Sequence, residues 1–136
     1  MITTLSWRST RRLNPIKDFQ RLTVSLRGGF ERKKGCLVFS FTGQLDAYSE
    51  KQFTDFLDEV FRSNKLPVVL DLTKIDFIDS SGLGAMVHSA KKCKNSKRSF
   101  VVVGNARVIQ TIKLVRLEKF LHVSTDLNTA INQIAA

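Results

Sequence analysis

The residues best suited to chemistry lie in one short stretch, residues 79–84, which read Asp-Ser-Ser-Gly-Leu-Gly. Before it, an apolar run at residues 68–72, introduced by Pro67, predicts a buried strand. After it, apolar residues recur at helical spacing. The stretch therefore connects a strand to a helix. It places a carboxylate and two hydroxyl groups at the start of that helix.

Two interpretations of this connection stay open on the local residues. The first N–H groups of a helix lack partners within the helix, and the helix dipole adds positive charge there, so a phosphate on Ser80 or Ser81 would be stabilised. Gly82 and Gly84 carry no side chain and allow another backbone or a nucleotide phosphate to come close. The commoner interpretation is structural, because Asp and Ser are ordinary N-caps and glycine tolerates turns.

Known catalytic motifs are absent from the sequence. It contains no P-loop, no GxGxxG fingerprint, no HExxH motif and no clustered metal ligands. A serine nucleophile needs a nearby base, but His88 is seven residues beyond Ser81, about 10 Å along a helix. His122 is predicted to be a core or edge residue. Asp79 also occupies the position of the first glycine of a GxSxG elbow. We therefore expect no enzyme, no metal site and no cofactor.

Asp79 beside Ser80 suggests a different role for the serine. A carboxylate there can accept a proton during phosphoryl transfer, whereas ATP, Mg²⁺ and the kinase machinery would have to come from another protein. On this interpretation the serine is a substrate and the protein is a switch. Ser81 is the rival phosphoacceptor, and its alternative role is the N-cap of the helix.

Length and composition predict one soluble cytoplasmic domain. The chain has 136 residues, of which 43% are hydrophobic and 25% charged. No apolar run approaches the ~20 residues that cross a bilayer, and the first 15 residues show no secretory signal. The two cysteines, Cys36 and Cys93, lie in no disulfide framework or CxxC motif.

The net charge of +10 is concentrated near the N-terminus. Nine of the 22 Lys and Arg residues, but only two of the 12 acidic residues, fall within residues 1–34. We interpret residues 1–20 as a basic extension, with Trp7 and Phe19 as possible docking points, and residues 21–136 as the domain. Such an arm can contact nucleic acid, an anionic membrane or an acidic partner, or act as a solubilising tail. Nucleic acid is disfavoured, because the arm does not alternate basic with stacking aromatic residues.

The remaining pattern predicts an α/β fold. We expect strands at residues 22–26, 36–42, 68–72, 100–103 and 120–123, and a loop from Gly28 to Gly35. Four helices are expected: one after a capping box at Ser49 and Gln52, one that starts within residues 79–84, one after Asn105 with residues 108, 112 and 115 on its buried face, and one capped by Thr125 or Asp126. Alternating strands and helices indicate a mainly parallel sheet, with the opening hairpin as an antiparallel edge.

Three parts of the sequence together resemble the STAS domain family, and within it the anti-sigma factor antagonists of bacteria. These are the apolar run with Asp71, the stretch from Ile75 to Gly84, and the loop residues 43–46. The resemblance covers about residues 20–136 and implies a single small α/β domain. It implies a partner-binding surface made by the loop residue Asp46 and by the stretch Asp79, Ser80, Ser81, Gly82, Leu83 and Gly84.

The resemblance also implies a function. In that family the first serine of this loop, here Ser80, is the phosphoacceptor. The unphosphorylated protein binds an anti-sigma factor with serine kinase activity and frees a sigma factor, phosphorylation releases it, and a serine phosphatase restores it. The alternatives are a STAS module that senses a nucleotide or anion at the same helix start, and a stress-signalling scaffold that acts on no sigma factor.

Overall fold

Six strands form a single mixed sheet in which spatial order follows chain order. The computed structural model describes residues 20–135, so most of the predicted basic extension, including Trp7 and Phe19, lies outside the described residues. The elements are β1 (Gln20–Arg21), β2 (Leu26–Lys33), β3 (Cys36–Leu45), α1 (Glu50–Ser63), β4 (Val68–Ile78), α2 (Ser80–Asn95), β5 (Phe100–Gly104), α3 (Ala106–Leu114), α4 (Glu118–Leu121), β6 (Val123–Ser124) and α5 (Leu127–Ala135).

The direction of the strands divides the sheet in two. β1, β2 and β3 pair antiparallel, whereas β3, β4, β5 and β6 pair parallel, with a helix in each crossover. The predicted α/β fold, mainly parallel with an antiparallel N-terminal hairpin, is therefore confirmed. Five helices are described instead of about four, because the short α4 precedes β6.

Both faces of the central strands are buried. Side chains from α1 to α4 pack on one face, around Phe39, Phe41 and Leu70. The core on the other face is smaller and is covered by α5. Ala130 and Ile131 of this helix pack against buried residues of β3, β4 and β5. Since successive strand residues point to opposite faces, burial on both sides explains the nearly continuous apolar runs of β4 and β5.

The expected strand at residues 22–26 and the expected loop from Gly28 to Gly35 are both wrong, since residues 22–25 belong to no strand. β2 begins at Leu26 and runs through both glycines, and only Lys34 and Gly35 turn, each with positive φ (52° and 79°). Packing across the sheet overrides the weak strand preference of glycine. A Cβ at Gly28 would lie 2.5 Å from the ring of Phe41, so the missing side chain leaves room for that ring.

Several local predictions near the helix ends also need correction. Ser49 precedes α1, but its side chain forms no capping hydrogen bond with the helix. The expected strand at residues 120–123 is a turn of α4, then His122 in the left-handed region (φ 51°), then β6. His122 is exposed, and Val115 is half-exposed because α3 ends before it. Within residues 20–135, no helix combines the length and apolar character needed to cross a membrane.

Candidate functional site

Asp79 fixes the start of α2. Its backbone is extended, its Oδ1 accepts a hydrogen bond from the N–H of Gly82 at 3.0 Å, and its carbonyl accepts from the N–H of Leu83 at 2.9 Å. Asp79 is therefore the N-cap, and the prediction that Ser81 serves as the cap is wrong. The sequence could not decide between them, because both residue types are good caps.

The two serines differ in exposure. Ser80 is the first residue of α2 and is exposed, whereas Ser81 is only partly exposed. Neither hydroxyl forms a hydrogen bond with another residue of the described part of the chain. Because Asp79 already satisfies an N–H group of the first turn, neither hydroxyl is needed as a cap, and that of Ser80 faces solvent.

The two glycines of this turn have opposite surroundings. A Cβ at Gly82 would overlap the carbonyl oxygen of Leu45 and lie 2.9 Å from Cγ1 of Ile78. A Cβ at Gly84 would meet nothing within 4 Å. Gly82 therefore lets α2 pack against the end of β3, whereas Gly84 leaves an open surface on the helix.

A second loop lies beside this turn. Leu45 and Ile78 are paired at the ends of the neighbouring parallel strands β3 and β4, and the N–H of Asp79 donates to the carbonyl of Leu45 at 3.3 Å. Asp46 and Asp79 each follow one of these paired residues. The register thus brings Asp46 next to the start of α2. Asp46 and residues 79–84, which were predicted to share one partner-binding surface, therefore lie close together.

The loop after β3 is held by a buried serine. Ser49 Oγ donates to the carbonyl of Gln44 at 2.9 Å and accepts from the N–H of Asp46 at 3.0 Å, and Ser49 has no exposed surface. Asp46 Oδ1 accepts from the N–H of Tyr48 at 3.0 Å and lies 3.2 Å from Ser49 Oγ. One carboxylate oxygen of Asp46 therefore stabilises the backbone conformation of the loop.

Gly43 anchors the other side of this loop. Its φ is +117°, in the region that disfavours residues with a Cβ, and a Cβ there would overlap the carbonyl oxygen of Ser25. The N–H of Gln44 donates to that same oxygen at 2.9 Å. The loop of residues 43–46 is thus fixed against both the β1–β2 connection and α1.

Two aromatic side chains at this edge were missed by the sequence reasoning. Tyr48 is 86% exposed in the loop after β3, and Phe77 is 49% exposed near the end of β4. Phe77 pairs in register with Gln44, so both aromatics belong to the edge that carries Ser80. Their exposure depends on the tertiary fold, since β4 extends to Ile78, six residues beyond its predicted end.

The two histidines of the described structure lie away from Ser80 and Ser81. His88 is exposed on α2, two turns beyond Ser80, and His122 lies beside Phe100 at the amino-terminal end of β5, opposite to the end where Ser80 lies. Within residues 20–135, no three His, Cys, Asp or Glu side chains are grouped to hold a metal ion.

A groove of about 630 Å³ runs along α3, from Asn105 at its start to Leu114 at its end. Its lining includes Gly104, Ala106, Ile109 and Lys113. The side chain of Asn105 caps α3 and links it to β4. Its Oδ1 accepts a hydrogen bond from the N–H of Val108 at 2.8 Å, and its Nδ2 donates one to the carbonyl of Ile75 at 2.9 Å.

Comparison with known proteins places this arrangement in a family. A family model described as "STAS domain" matches residues 30–130. The chain belongs to the STAS domain family. The resemblance carried by residues 43–46 and 68–84 is thereby confirmed at the level of the family.

Individual relatives of this STAS domain are distant. The Mycobacterium tuberculosis protein named anti-sigma-F factor antagonist RsfB is 25% identical over 100 residues, which cover 74% of this chain and 82% of that protein. A crystal structure of an anti-sigma factor antagonist from Mycobacterium paratuberculosis superposes with a TM-score of 0.75 at 23% identity, covering 82% of this chain and 96% of the other.

A third similar protein has been solved in two chemical states. The anti-sigma factor antagonist SpoIIAA in its unphosphorylated form has a TM-score of 0.60 at 15% identity, with coverage of 85% and 95%. The phosphorylated form, from Bacillus, has a TM-score of 0.58 at 17% identity, with coverage of 85% and 98%. These likenesses establish the fold that this STAS domain shares with both forms.

Proposed function

We propose that this STAS domain is an anti-sigma factor antagonist switched by phosphorylation of Ser80. In the unphosphorylated form it binds an anti-sigma factor that has serine kinase activity. Phosphorylation releases that partner, and a serine phosphatase restores the binding form. The names of RsfB and of the structural neighbours support this class of function.

The exposure of Ser80 at the first position of α2 is the observation that carries the proposal. A kinase can reach this hydroxyl without unfolding the domain, whereas Ser81 is partly covered. The open surface at Gly84 leaves room for a partner along the same turn. The cap formed by Asp79 holds in place the turn that presents Ser80.

Electrostatics explains how one phosphate can act on binding. A phosphoserine adds roughly −1.5 to −2 charges at neutral pH. The helix dipole stabilises this charge at the start of α2, so the domain stays folded. Asp46 and Asp79 already place carboxylates nearby, so a partner that covers this surface would have to bury additional negative charge. A binding penalty of ~3 kcal/mol lowers affinity more than a hundredfold.

Mass spectrometry of the protein purified from its source cell tests the proposal. We expect phosphate on the peptide that contains Ser80. Ser80→Ala should lose it, and the matched variant Ser81→Ala should keep it. Phosphate on Ser81 alone would refute the assignment of the residue.

Absence of phosphate under growth and stress conditions would refute the switch. A screen for nucleotides released on denaturation would then test the ligand-sensing alternative. Binding measurements with the anti-sigma factor complete the test, since Ser80→Asp should weaken binding whereas Ser80→Ala should preserve it.

A further inference from the structure

The loops that lead into the parallel strands form one continuous edge, opposite to Ser80. Hydrogen bonds join these loops in sequence: Leu37 N–H donates to Pro67 O at 2.8 Å, and Val68 N–H donates to Ser99 O at 2.9 Å. At the far side, Val102 N–H donates to His122 O at 3.3 Å. Residues distant in sequence thus share one surface at the amino-terminal end of the sheet.

This edge is strongly basic. We define the basic edge as eight exposed cations in these loops and the adjoining ends of elements: Arg32, Lys33, Lys34, Lys65, Lys94, Lys97, Arg116 and Lys119. None of the eight forms an ion pair with an acidic side chain of the described residues. The acidic side chains of the described residues therefore do not neutralise these charges, although Nζ of Lys94 lies over the ring of Phe120, 4.1 Å from its centroid.

Two of the described acidic residues near this edge pair with cations outside the eight. Asp58 pairs with Lys92 at 3.0 Å, and Glu59 pairs with Arg62 at 2.6 Å. Glu118 is partly buried, with its Oε1 covered. Glu31, on β2, is also partly exposed. The field of the eight cations is thus only partly offset, and it attracts anions.

An exposed apolar corner adjoins these cations. Leu114 is 77% exposed and Val115 is 50% exposed, and they lie between Lys113 and Arg116. The chain turns sharply there, since the N–H of Arg116 donates to the carbonyl of Lys113 at 3.0 Å. A projecting apolar pair flanked by cations is typical of surfaces that enter the headgroup region of a membrane.

We propose that the basic edge and the Leu114–Val115 corner dock this domain on a membrane surface rich in anionic lipids. The cations contact headgroup phosphates and carboxylates, and the two apolar side chains enter the interface. Duplex nucleic acid would use the cations but gain nothing from the apolar corner. Single strands require stacking aromatics, and the exposed aromatics of residues 20–135, Tyr48 and Phe77, lie at the opposite edge.

Docking in this orientation leaves the other edge free. Ser80, Asp46 and Asp79 lie at the carboxyl-terminal end of the sheet and would face away from the lipid. This inference is independent of the proposed switch, since it concerns the opposite end of the molecule. A membrane-bound domain would present the same candidate site to solvent as a free domain.

Co-sedimentation of the full chain with vesicles tests the proposal. Phosphatidylcholine vesicles that contain phosphatidylserine should bind the protein, and pure phosphatidylcholine vesicles should not. Raising the salt concentration should weaken binding, because exposed charges are screened. The triple variant Lys33→Glu, Lys65→Glu and Lys119→Glu should lower the partition coefficient at least a hundredfold, about fivefold or more for each cation.

A triple variant of equal charge change provides the matched control. Lys51→Glu, Lys74→Glu and Arg107→Glu alter exposed cations away from the basic edge and should retain most of the binding. The cations of residues 1–19 are unchanged in both triples. Leu114→Gln should lower partition about tenfold without altering its salt dependence, because it removes apolar burial alone.

Three outcomes would overturn the proposal. An equal loss of vesicle binding in the two triple variants would indicate that binding depends on net charge and not on a defined surface. Unchanged binding of the basic-edge triple would place the lipid contact elsewhere. Binding to duplex DNA but not to phosphatidylserine vesicles would assign the basic edge to nucleic acid.

Discussion

Gly82, in the first turn of α2, lies directly against the main-chain carbonyl of Leu45, the last residue of β3. A methyl group at Gly82 would overlap that oxygen and come within 2.9 Å of Ile78. The contact holds the helix start that bears Ser80 against the loop that bears Asp46. The spatial relation between the two parts of the candidate site therefore depends on a missing side chain.

We predict that Gly82→Ala lowers the free energy of unfolding by about 2 kcal/mol, the usual cost of forcing an extra carbon into a packed site. The matched variant Gly84→Ala should raise it by about 0.5–1 kcal/mol, since a Cβ there meets nothing and alanine favours helix over glycine. Urea unfolding measures both. Equal effects of the two substitutions would contradict the packing argument.

The cap at Asp79 gives a second prediction. Asp79→Ala should lower the free energy of unfolding by about 1 kcal/mol, because the N–H of Gly82 loses its side-chain acceptor. Asp79→Asn should change it by only a few tenths of a kcal/mol, since Asn and Asp cap about equally well. Thermal unfolding of both variants gives the comparison. Loss in Asp79→Asn as large as in Asp79→Ala would show that charge, and not capping, stabilises the turn.

The sequence predicts the order of strands and helices well because its apolar periods are strong. Asp71 is the only polar residue in the runs at 68–72 and 100–103, as expected of strands buried on both faces. The strand-to-helix connection at residues 79–84 was predictable for the same reason. The family resemblance then supplied Asp46 as its neighbour, which the pairing of Leu45 with Ile78 explains.

Other features depend on contacts that the sequence does not display. Gly28 and Gly29 have the composition of a loop, yet pairing with β3 and the ring of Phe41 makes them strand. Asp79 and Ser81 are both good caps, so only the path of the backbone selects Asp79. Ser49 has the spacing of a capping box but bonds instead to the strand end at Gln44.

The buried hydroxyl of Ser49 gives a third prediction. Ser49→Ala should lower the free energy of unfolding by about 1–3 kcal/mol, because the N–H of Asp46 loses its buried acceptor. Ser96→Ala is the comparison, since that exposed hydroxyl also bonds to a backbone carbonyl and its loss should cost about 0.5 kcal/mol or less. Chemical unfolding reports both values. Equal costs would mean that Ser49 does not hold the loop.

Tyr48 and Phe77 give a prediction that rests on the proposed function. Exposed aromatic residues beside a binding site are frequent anchors, so Tyr48→Ala and Phe77→Ala should each weaken binding of the anti-sigma factor about tenfold, or ~1.4 kcal/mol. Leu114→Ala, an exposed residue elsewhere, should bind normally. Isothermal titration calorimetry with unphosphorylated protein measures this. Normal binding of both aromatic variants would place the interface away from these side chains.

Burial of Cys93 gives a pH-dependent prediction. Burial raises the pKa of this thiol from 9.0 to about 11, although the nearby Arg98 partly opposes the shift. Between those values the folded protein holds a proton that the unfolded chain releases. Stability from this group is therefore complete below pH 9.0 and declines as the pH rises toward about 11.

The loss should appear as a falling urea midpoint above pH 9.0 in the wild type and a shallower fall in Cys93→Ala. Burial also raises the pKa of Cys36, so Cys36→Ala provides the comparison for a thiol whose shift comes from burial alone. Comparing the variants removes the contribution of every ionisable group that they share. If the urea midpoint of Cys93→Ala falls as steeply with pH as that of the wild type, ionisation of this thiol does not affect the stability of the fold.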